Sequence, residues 1–188
     1  GYMIYFLRHG LDDERYIGGW SEIDLTDEGI EQVRNTIEKM NCLGIVPKHI
    51  ISSGVERSNT TASILGQYYN LEVKKDYRFR EQNKGELNGL LKTDATVLFP
   101  EYLENVDIDT KYPGGESLID LYTRVKVMLD EIKELDGDTV IVTHRGIINM
   151  LYYLLYHIPL DMDKEKFNVD HASLHVFNPE VMLIGKVI

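Results

Sequence analysis

The stretch Met3-Ile4-Tyr5-Phe6-Leu7-Arg8-His9-Gly10 decides how the rest of the chain is read. Five apolar residues rich in β-formers predict a buried strand, and that strand hands over at once to a cation, an imidazole and a turn residue. In an open α/β sheet, ligands bind beyond the carboxyl ends of the strands, where loops expose side chains and backbone N–H groups over a rigid floor. His9 is placed there. The same grammar returns late in the chain, where Thr139-Val140-Ile141-Val142 runs into Thr143-His144-Arg145-Gly146 and then an apolar helical stretch over 147–156. If both strands lie in one parallel sheet, right-handed crossovers put their carboxyl ends on one edge, so His9 and His144 converge.

Working outward, strand and helix patterns alternate. A polar, glycine-containing loop over 11–24 leads to Thr26, which can cap a helix whose first turn carries Asp27 and Glu28, both favourable near a positive helix end. Ile30, Val33, Ile37 and Met40 continue that helix at helical spacing. His49-Ile50-Ile51-Ser52 predicts a short strand, Ser53-Gly54 a turn, residues 56–67 a helix and residues 71–75 a third strand. From 77 to 113 periodicity is weakest, which implies loops and short helices. Ser117 with Asp120 resembles a capping box opening a helix of Leu118, Leu121, Val125, Met128, Leu129 and Ile132 that ends near Gly137. Strands over 173–177 and 181–187, separated by Asn178-Pro179, form a hairpin at the sheet edge. The expected fold is a three-layer α/β/α arrangement with a mainly parallel central sheet and a small helical cap over about 88–113.

Of the 188 residues, 43% are hydrophobic and 27% charged, and no Pro/Gly/Ser-rich linker divides them, so one globular domain over 3–188 is expected. Gly1-Tyr2 reads as a remnant ahead of Met3, a natural initiator at which the strand begins. The net charge of −11 disfavours nucleic acid and anionic membranes as partners, because both repel it. An anionic substrate therefore needs local cations, and Arg8, Arg57 and Arg145 are the candidates. Cys42 is the single cysteine, read as a small semi-buried side chain; intrachain disulfides and cysteine-rich zinc sites are excluded, which suits a cytoplasmic location. No apolar run approaches the roughly 20 residues needed to cross a bilayer.

Several ordered segments carry a family resemblance: Leu7-Arg8-His9-Gly10, Leu25-Thr26 with Gly29 and Gln32, Ser52-Ser53 followed by Arg57 with Thr61-Ala62, Arg80-Glu81 with Gly85 and Gly89, Pro113-Gly114-Gly115-Glu116-Ser117, and Val142-Thr143-His144. In order and spacing the chain resembles the histidine phosphatase superfamily, also called phosphoglycerate mutase-like, in its small phosphatase branch.

The resemblance implies phosphomonoester hydrolysis through a phosphohistidine on His9, with Arg8, Arg57 and His144 around the phosphoryl group and Glu81 moving the proton. Physical demands agree with these roles. Imidazole attacks only when neutral, with one nitrogen free and the other held as a donor, and a carbonyl near Gly10 can hold it. Phosphoryl transfer asks mainly for positive charge around the equatorial oxygens. One carboxyl group can serve as acid for the leaving oxygen and then as base for water. The implied substrate is a small phosphorylated metabolite, with no cofactor and no metal. Two alternatives stay open: a phosphoglycerate mutase-type transferase, against which the short chain argues, and a phospho-ligand-binding module without catalysis.

The chain departs from the family pattern in the loop after Gly10 and at Arg145. The resemblance implies an asparagine touching phosphate shortly after Arg-His-Gly; here Leu11-Asp12-Asp13-Glu14-Arg15-Tyr16 fills that region, and Ser21 or the Gly18-Gly19 backbone is the substitute. Trp20 lines the pocket or anchors the loop by packing. Arg145 stands where a glycine usually follows the second histidine, and either joins the cage or points into solvent. Asp12-Asp13-Glu14 reads as a solvated acidic run rather than a cation site. His171 borders the pocket, His49 and His157 are structural, and Leu90, Phe99, Tyr102 and Leu103 are read chiefly as packing residues.

Overall fold

The computed structural model describes residues 1–104, 106–132 and 135–188. The opening strand, β1 (Ile4–Arg8), ends on the arginine itself. There follow α1 (Asp27–Cys42), β2 (His49–Ser52), α2 (Glu56–Tyr69), β3 (Val73–Lys75), α3 (Lys92–Leu98), α4 (Leu118–Ile132), β4 (Thr139–Thr143), α5 (Arg145–Leu155), β5 (Leu174–Asn178) and β6 (Leu183–Lys186). Short 3-10 turns occupy Tyr77–Phe79, Gly85–Leu87 and Pro100–Tyr102.

The strands make one sheet in the order β3-β2-β4-β1-β5-β6. β1 to β4 run parallel, and β5 pairs antiparallel with both β1 and β6, which gives the mainly parallel sheet and the edge hairpin that the patterning predicts. β1 and β4 are neighbours in register, Arg8 opposite Thr143. The next residue of each strand, His9 and His144, therefore steps off the sheet beside the other.

Alternation along the strands sorts side chains onto two cores, as a period of two requires. Ile4, Phe6 and Ile141 meet Leu121, Val125 and Met128 of α4 and Ile148 and Leu151 of α5 on one face. Leu7, Val140 and Val142 meet Val33, Ile37 and Met40 of α1 and Ala62 and Leu65 of α2 on the other. Each such buried side chain contributes about 1.5–3 kcal/mol, so the central strands that carry the histidines are the most firmly held part of the sheet.

Caps fix the loops around the site. Thr26 Oγ1 accepts from the Gly29 N–H at 3.0 Å and donates to the Leu11 carbonyl at 3.1 Å, while Gln32 Oε1 accepts from the Leu11 N–H at 2.9 Å. A Cβ on Gly29 would lie 2.2 Å from the Leu11 carbonyl oxygen, so only glycine lets α1 come this close to the loop behind His9. At α4, Ser117 Oγ accepts from the Asp120 N–H at 3.1 Å and Asp120 Oδ2 from the Ser117 N–H at 3.0 Å, the expected reciprocal cap. The described part of this helix stops at Ile132; its expected continuation towards Gly137 crosses 133 and 134, which lie outside the described residues. Cys42, expected to be half-buried, is exposed because it is the last residue of α1.

Residues 88–113, of which 105 is outside the described set, supply α3 and the turn Pro100–Tyr102. Leu87, Ala95, Tyr112 and Ile17 form a small core of their own, with Leu90, Phe99 and Tyr102 packed against it, while Leu103 faces the cavity described below. Among the described residues no helix is long and apolar enough to cross a membrane.

Thr26→Ala removes both the cap and the tie to Leu11. The expected loss is about 1–2 kcal/mol, read as a lower urea midpoint at constant slope; an unchanged midpoint would show that the cap adds nothing.

Candidate active site

Beyond the ends of β1 and β4 lies a cavity of about 380 Å³, and His9 is on its wall although only 4% exposed. The ring is fixed by its own loop: Nδ1 donates to the Gly10 carbonyl at 2.7 Å, leaving Nε2 with its lone pair. The Gly10 N–H is tied to Thr61 Oγ1 of α2 at 3.2 Å, so the turn that orients the ring is itself anchored. Burial, then Arg57, His144 and Arg8, hold the His9 pKa well below its ordinary value. The imidazole is therefore neutral, the form that can act as a nucleophile.

Arg57, at the start of α2, is 2% exposed and directs Nε at His9 Nε2, 3.3 Å away. Its other nitrogens donate to the carbonyls of Gly19 at 2.7 Å and Ser21 at 3.1 Å, and Asp12 Oδ2 lies 3.8 Å off. Burying a guanidinium costs on the order of several kcal/mol, and these acceptors offset it. Arg8 donates from Nη1 to the Val169 carbonyl at 2.7 Å and from Nη2 to His171 Nε2 at 3.0 Å, with Nε left unpartnered. His144 is fully buried 5.2 Å from His9, centroid to centroid. The Ser53 hydroxyl holds its Nε2 at 2.8 Å, and Nδ1 has no partner. Burial, Arg57 and Arg8 push its pKa well down as well.

Glu81 reaches the same cavity from the segment after Tyr77–Phe79. Oε2 accepts from the Gly146 N–H at 3.0 Å, in the first turn of α5, and Oε1 from the Gln82 N–H at 2.8 Å. A Cβ on Gly146 would lie 2.0 Å from Oε1, so glycine there is what admits the carboxyl group. The Glu81 carbonyl is held from behind by Trp20 Nε1 at 2.7 Å and Arg124 Nη2 at 3.2 Å. Arg124 also pairs with Glu116 at 3.0 Å and donates to the carbonyls of Arg78 and Arg80.

The structure thus brings Arg8, His9, Arg57, Glu81 and Arg145 onto one cavity, with His144 directly behind His9. Arg145 pairs with Glu165 at 2.8 Å while lining the wall. Ser21 and Trp20 are not among the lining residues. Ser21 offers Arg57 its carbonyl, with its hydroxyl buried and unpartnered, and Gly18 and Gly19 line the wall instead. The Trp20 indole, whose orientation the sequence left open, turns to the Glu81 carbonyl and stacks with the Arg80 guanidinium at 4.9 Å.

Asp12 is the residue that sequence reasoning passed over. Far from being part of a solvated run, it is half-buried on the cavity wall, 3.7 Å from His171 Nε2. Burial alone would raise its pKa, but His171, His9 and Arg57 hold the carboxylate well below its usual range. His9, Asp12 and His171 together offer three ligand atoms within 4.8 Å of one another, the residues here that could hold a metal ion. Arg57 and Arg8 stand against the same atoms, and their positive charge opposes a cation there and favours an anion.

A model of the histidine phosphatase superfamily (branch 1) matches residues 4–181. The chain belongs to that superfamily. Arabidopsis thaliana phosphoglycerate mutase-like protein 4 is 33% identical over 160 residues, 79% of this chain and 69% of that protein. A mycobacterial glucosyl-3-phosphoglycerate phosphatase, solved with inorganic phosphate, superposes with a TM-score of 0.76 at 25% identity, covering 100% of this chain and 96% of that one. Bacillus stearothermophilus YhfR shares the fold with a TM-score of 0.80 at 21% identity, over 95% of this chain and 91% of that one. Members of the superfamily around this chain are thus phosphatases and mutases, and this histidine phosphatase relative is a phosphoryl-handling enzyme.

The buried imidazoles also set its acid stability. His9 and His144 have folded pKa values pushed below the ordinary 6.5, and His175, held between the Tyr152 and Ser173 hydroxyls, is lowered to about 4, chiefly by burial and then by Lys186. Below pH 6.5 the unfolded chain takes up protons that the folded chain refuses, so these groups leave stability unchanged above that pH and lower it as pH drops towards 4. The expected slope is about 1.4 kcal/mol per pH unit for each such proton, and His175→Gln should make it shallower. A urea midpoint independent of pH between 6.5 and 4.5 would contradict this.

Proposed function

We propose that this chain is a phosphomonoester hydrolase that works through a phosphohistidine on His9, acting on a small phosphorylated metabolite. The observation that carries the reading is the state of His9: neutral, locked by Gly10 so that the Nε2 lone pair is turned to the Arg57 Nε–H, and flanked by the unpartnered Arg8 Nε and the unpartnered His144 Nδ1. Donors and cations left without acceptors around a nucleophilic nitrogen are what the oxygens of a transferring phosphoryl group satisfy.

His9 Nε2 attacks phosphorus, the bond to the ester oxygen breaks, and the departing oxygen takes the proton of the Glu81 carboxyl group. Water then enters; Glu81, now a carboxylate, removes its proton, the oxygen attacks phosphorus, the N–P bond breaks and inorganic phosphate leaves. The two backbone amides on Glu81 hold the group in place through both steps. Gly18, Gly19 and Ser21 act indirectly, by aiming Arg57, and Trp20 is a positioning residue for Glu81.

Hydrolysis is favoured over mutase-type transfer by the slight wall built over the site. Among its described residues, the segment 88–113 provides one seven-residue helix and one 3-10 turn, little with which to retain a doubly phosphorylated intermediate against water. A cavity of about 380 Å³ suits a metabolite-sized ester.

The test is steady-state turnover of an aryl phosphate with a chelator present, scoring released phosphate against isomerised ester. Turnover is expected to persist with the chelator and to vanish in His9→Ala. Glu81→Gln should cost about 10²–10⁴ in kcat for an alkyl phosphate, whose oxygen needs the proton, and less for the aryl ester. Turnover retained by His9→Ala would refute the reading.

A further inference from the structure

The cavity wall also carries Lys84, Lys164 and Lys92, and among the described residues no carboxylate lies within ion-pair distance of any of the three. The Lys84 ammonium is fixed rather than solvated: it donates to Tyr112 Oη at 3.1 Å and sits 4.6 Å from the centre of that ring. Lys164 comes from the loop after α5, which is tied down where Asn149 Nδ2 donates to the Lys164 carbonyl at 3.2 Å. The two ammonium groups come so close that Lys84 is the largest influence lowering the pKa of Lys164, while burial is the largest lowering that of Lys84.

The carboxylates on the cavity wall make their close contacts elsewhere. Asp12 faces Arg57 and His171, Glu81 accepts two backbone amides, Asp161 is taken by Lys166 and the Tyr153 hydroxyl, and Asp163 accepts the Glu165 N–H. Glu14 acts on Arg8. Arg145 lowers the pKa of Arg8 as well as those of Lys84 and Lys164, and Glu81 raises all three, so both charges act on the phosphoryl-binding arginine and on the lysines. The carboxylate that acts on both ammonium groups is Glu81, itself held by two backbone amides, so this wall keeps an excess of positive charge that a second anion on the same ligand would neutralise.

We propose that the site selects phosphomonoesters whose leaving group bears a second anionic group, a carboxylate or another phosphate, held by Lys84 and Lys164. The proposal rests on the phosphatase reading above for its catalytic sense, but its binding content can be judged alone. Lys84 and Lys164 then read the leaving group, while Arg8, Arg57 and His144 read the phosphoryl group common to every substrate.

The experiment is calorimetric titration of the His9→Ala protein with two pairs of esters that differ in one charge: 6-phosphogluconate against sorbitol 6-phosphate, and 3-phosphoglycerate against glycerol 3-phosphate. The acid-bearing member of at least one pair should bind about tenfold or more tighter, and that advantage should disappear in His9→Ala/Lys84→Met and in His9→Ala/Lys164→Met. Lys164 is exposed, so its variant tests the idea without disturbing a core. Equal affinities within both pairs, or an advantage undiminished in both variants, would overturn the proposal. Aryl phosphate turnover by the unaltered protein is scored separately: its absence counts against the phosphatase reading, while the affinity ratios still decide the anion subsite.

Discussion

The hydrogen bond from His9 Nδ1 to the carbonyl of the next residue is the constraint on which the rest of the site depends. It decides which nitrogen carries the proton and points the other at Arg57. A side chain can be locked by its neighbour's carbonyl only if the turn is rigid, and the surrounding structure serves that end. The Gly10 N–H is tied to Thr61 of α2, the following residue to Thr26 and Gln32 of α1, and β1 itself lies between β4 and β5 in the middle of the sheet. Residues that look unrelated along the chain, such as Thr26, Gly29, Gln32 and Thr61, thus share the task of holding one imidazole.

Charge follows from the same geometry. Three cationic or potentially cationic groups, Arg8, Arg57 and His144, crowd His9, and burial keeps both imidazoles neutral. Backbone carbonyls of Gly19, Ser21 and Val169 and the Asp12 carboxylate take up part of the guanidinium charge. They leave Arg8 Nε and His144 Nδ1 unpartnered, so the protein is built to be completed by an anion at this end. Lys84 and Lys164 repeat the pattern on the cavity wall, and the proposed second-anion subsite rests on that charge.

Much of this was readable along the chain because it is local. An apolar run that ends in Arg-His-Gly, a threonine ahead of two acids and an amphipathic run, and Ser117 spaced from Asp120 each carry their structural meaning within a few residues, and β1, α1 and α4 begin where those signals place them. What escaped is produced by distance. Asp12 belongs to an acidic stretch that reads as solvated, and only His171, some 160 residues later, and Arg57 turn it into a wall residue of the cavity. Ser21 contributes a carbonyl, which no side-chain pattern reveals, and Trp20 turns towards a backbone oxygen of Glu81. Lys84 and Lys164 have no local signal at all; they become a pair only when the loop after α5 folds over the segment that follows Glu81.

The central claim, that His9 Nε2 receives the phosphoryl group, is tested most directly by mixing the enzyme with an aryl phosphate, quenching within a turnover at alkaline pH, where phosphohistidine survives, and mapping the modification by peptide mass spectrometry. The account predicts one phosphoryl group, carried by the peptide containing His9 and absent from the His9→Ala protein. Efficient turnover with no phosphorylated peptide, or with the group on His144 or His171, would contradict it.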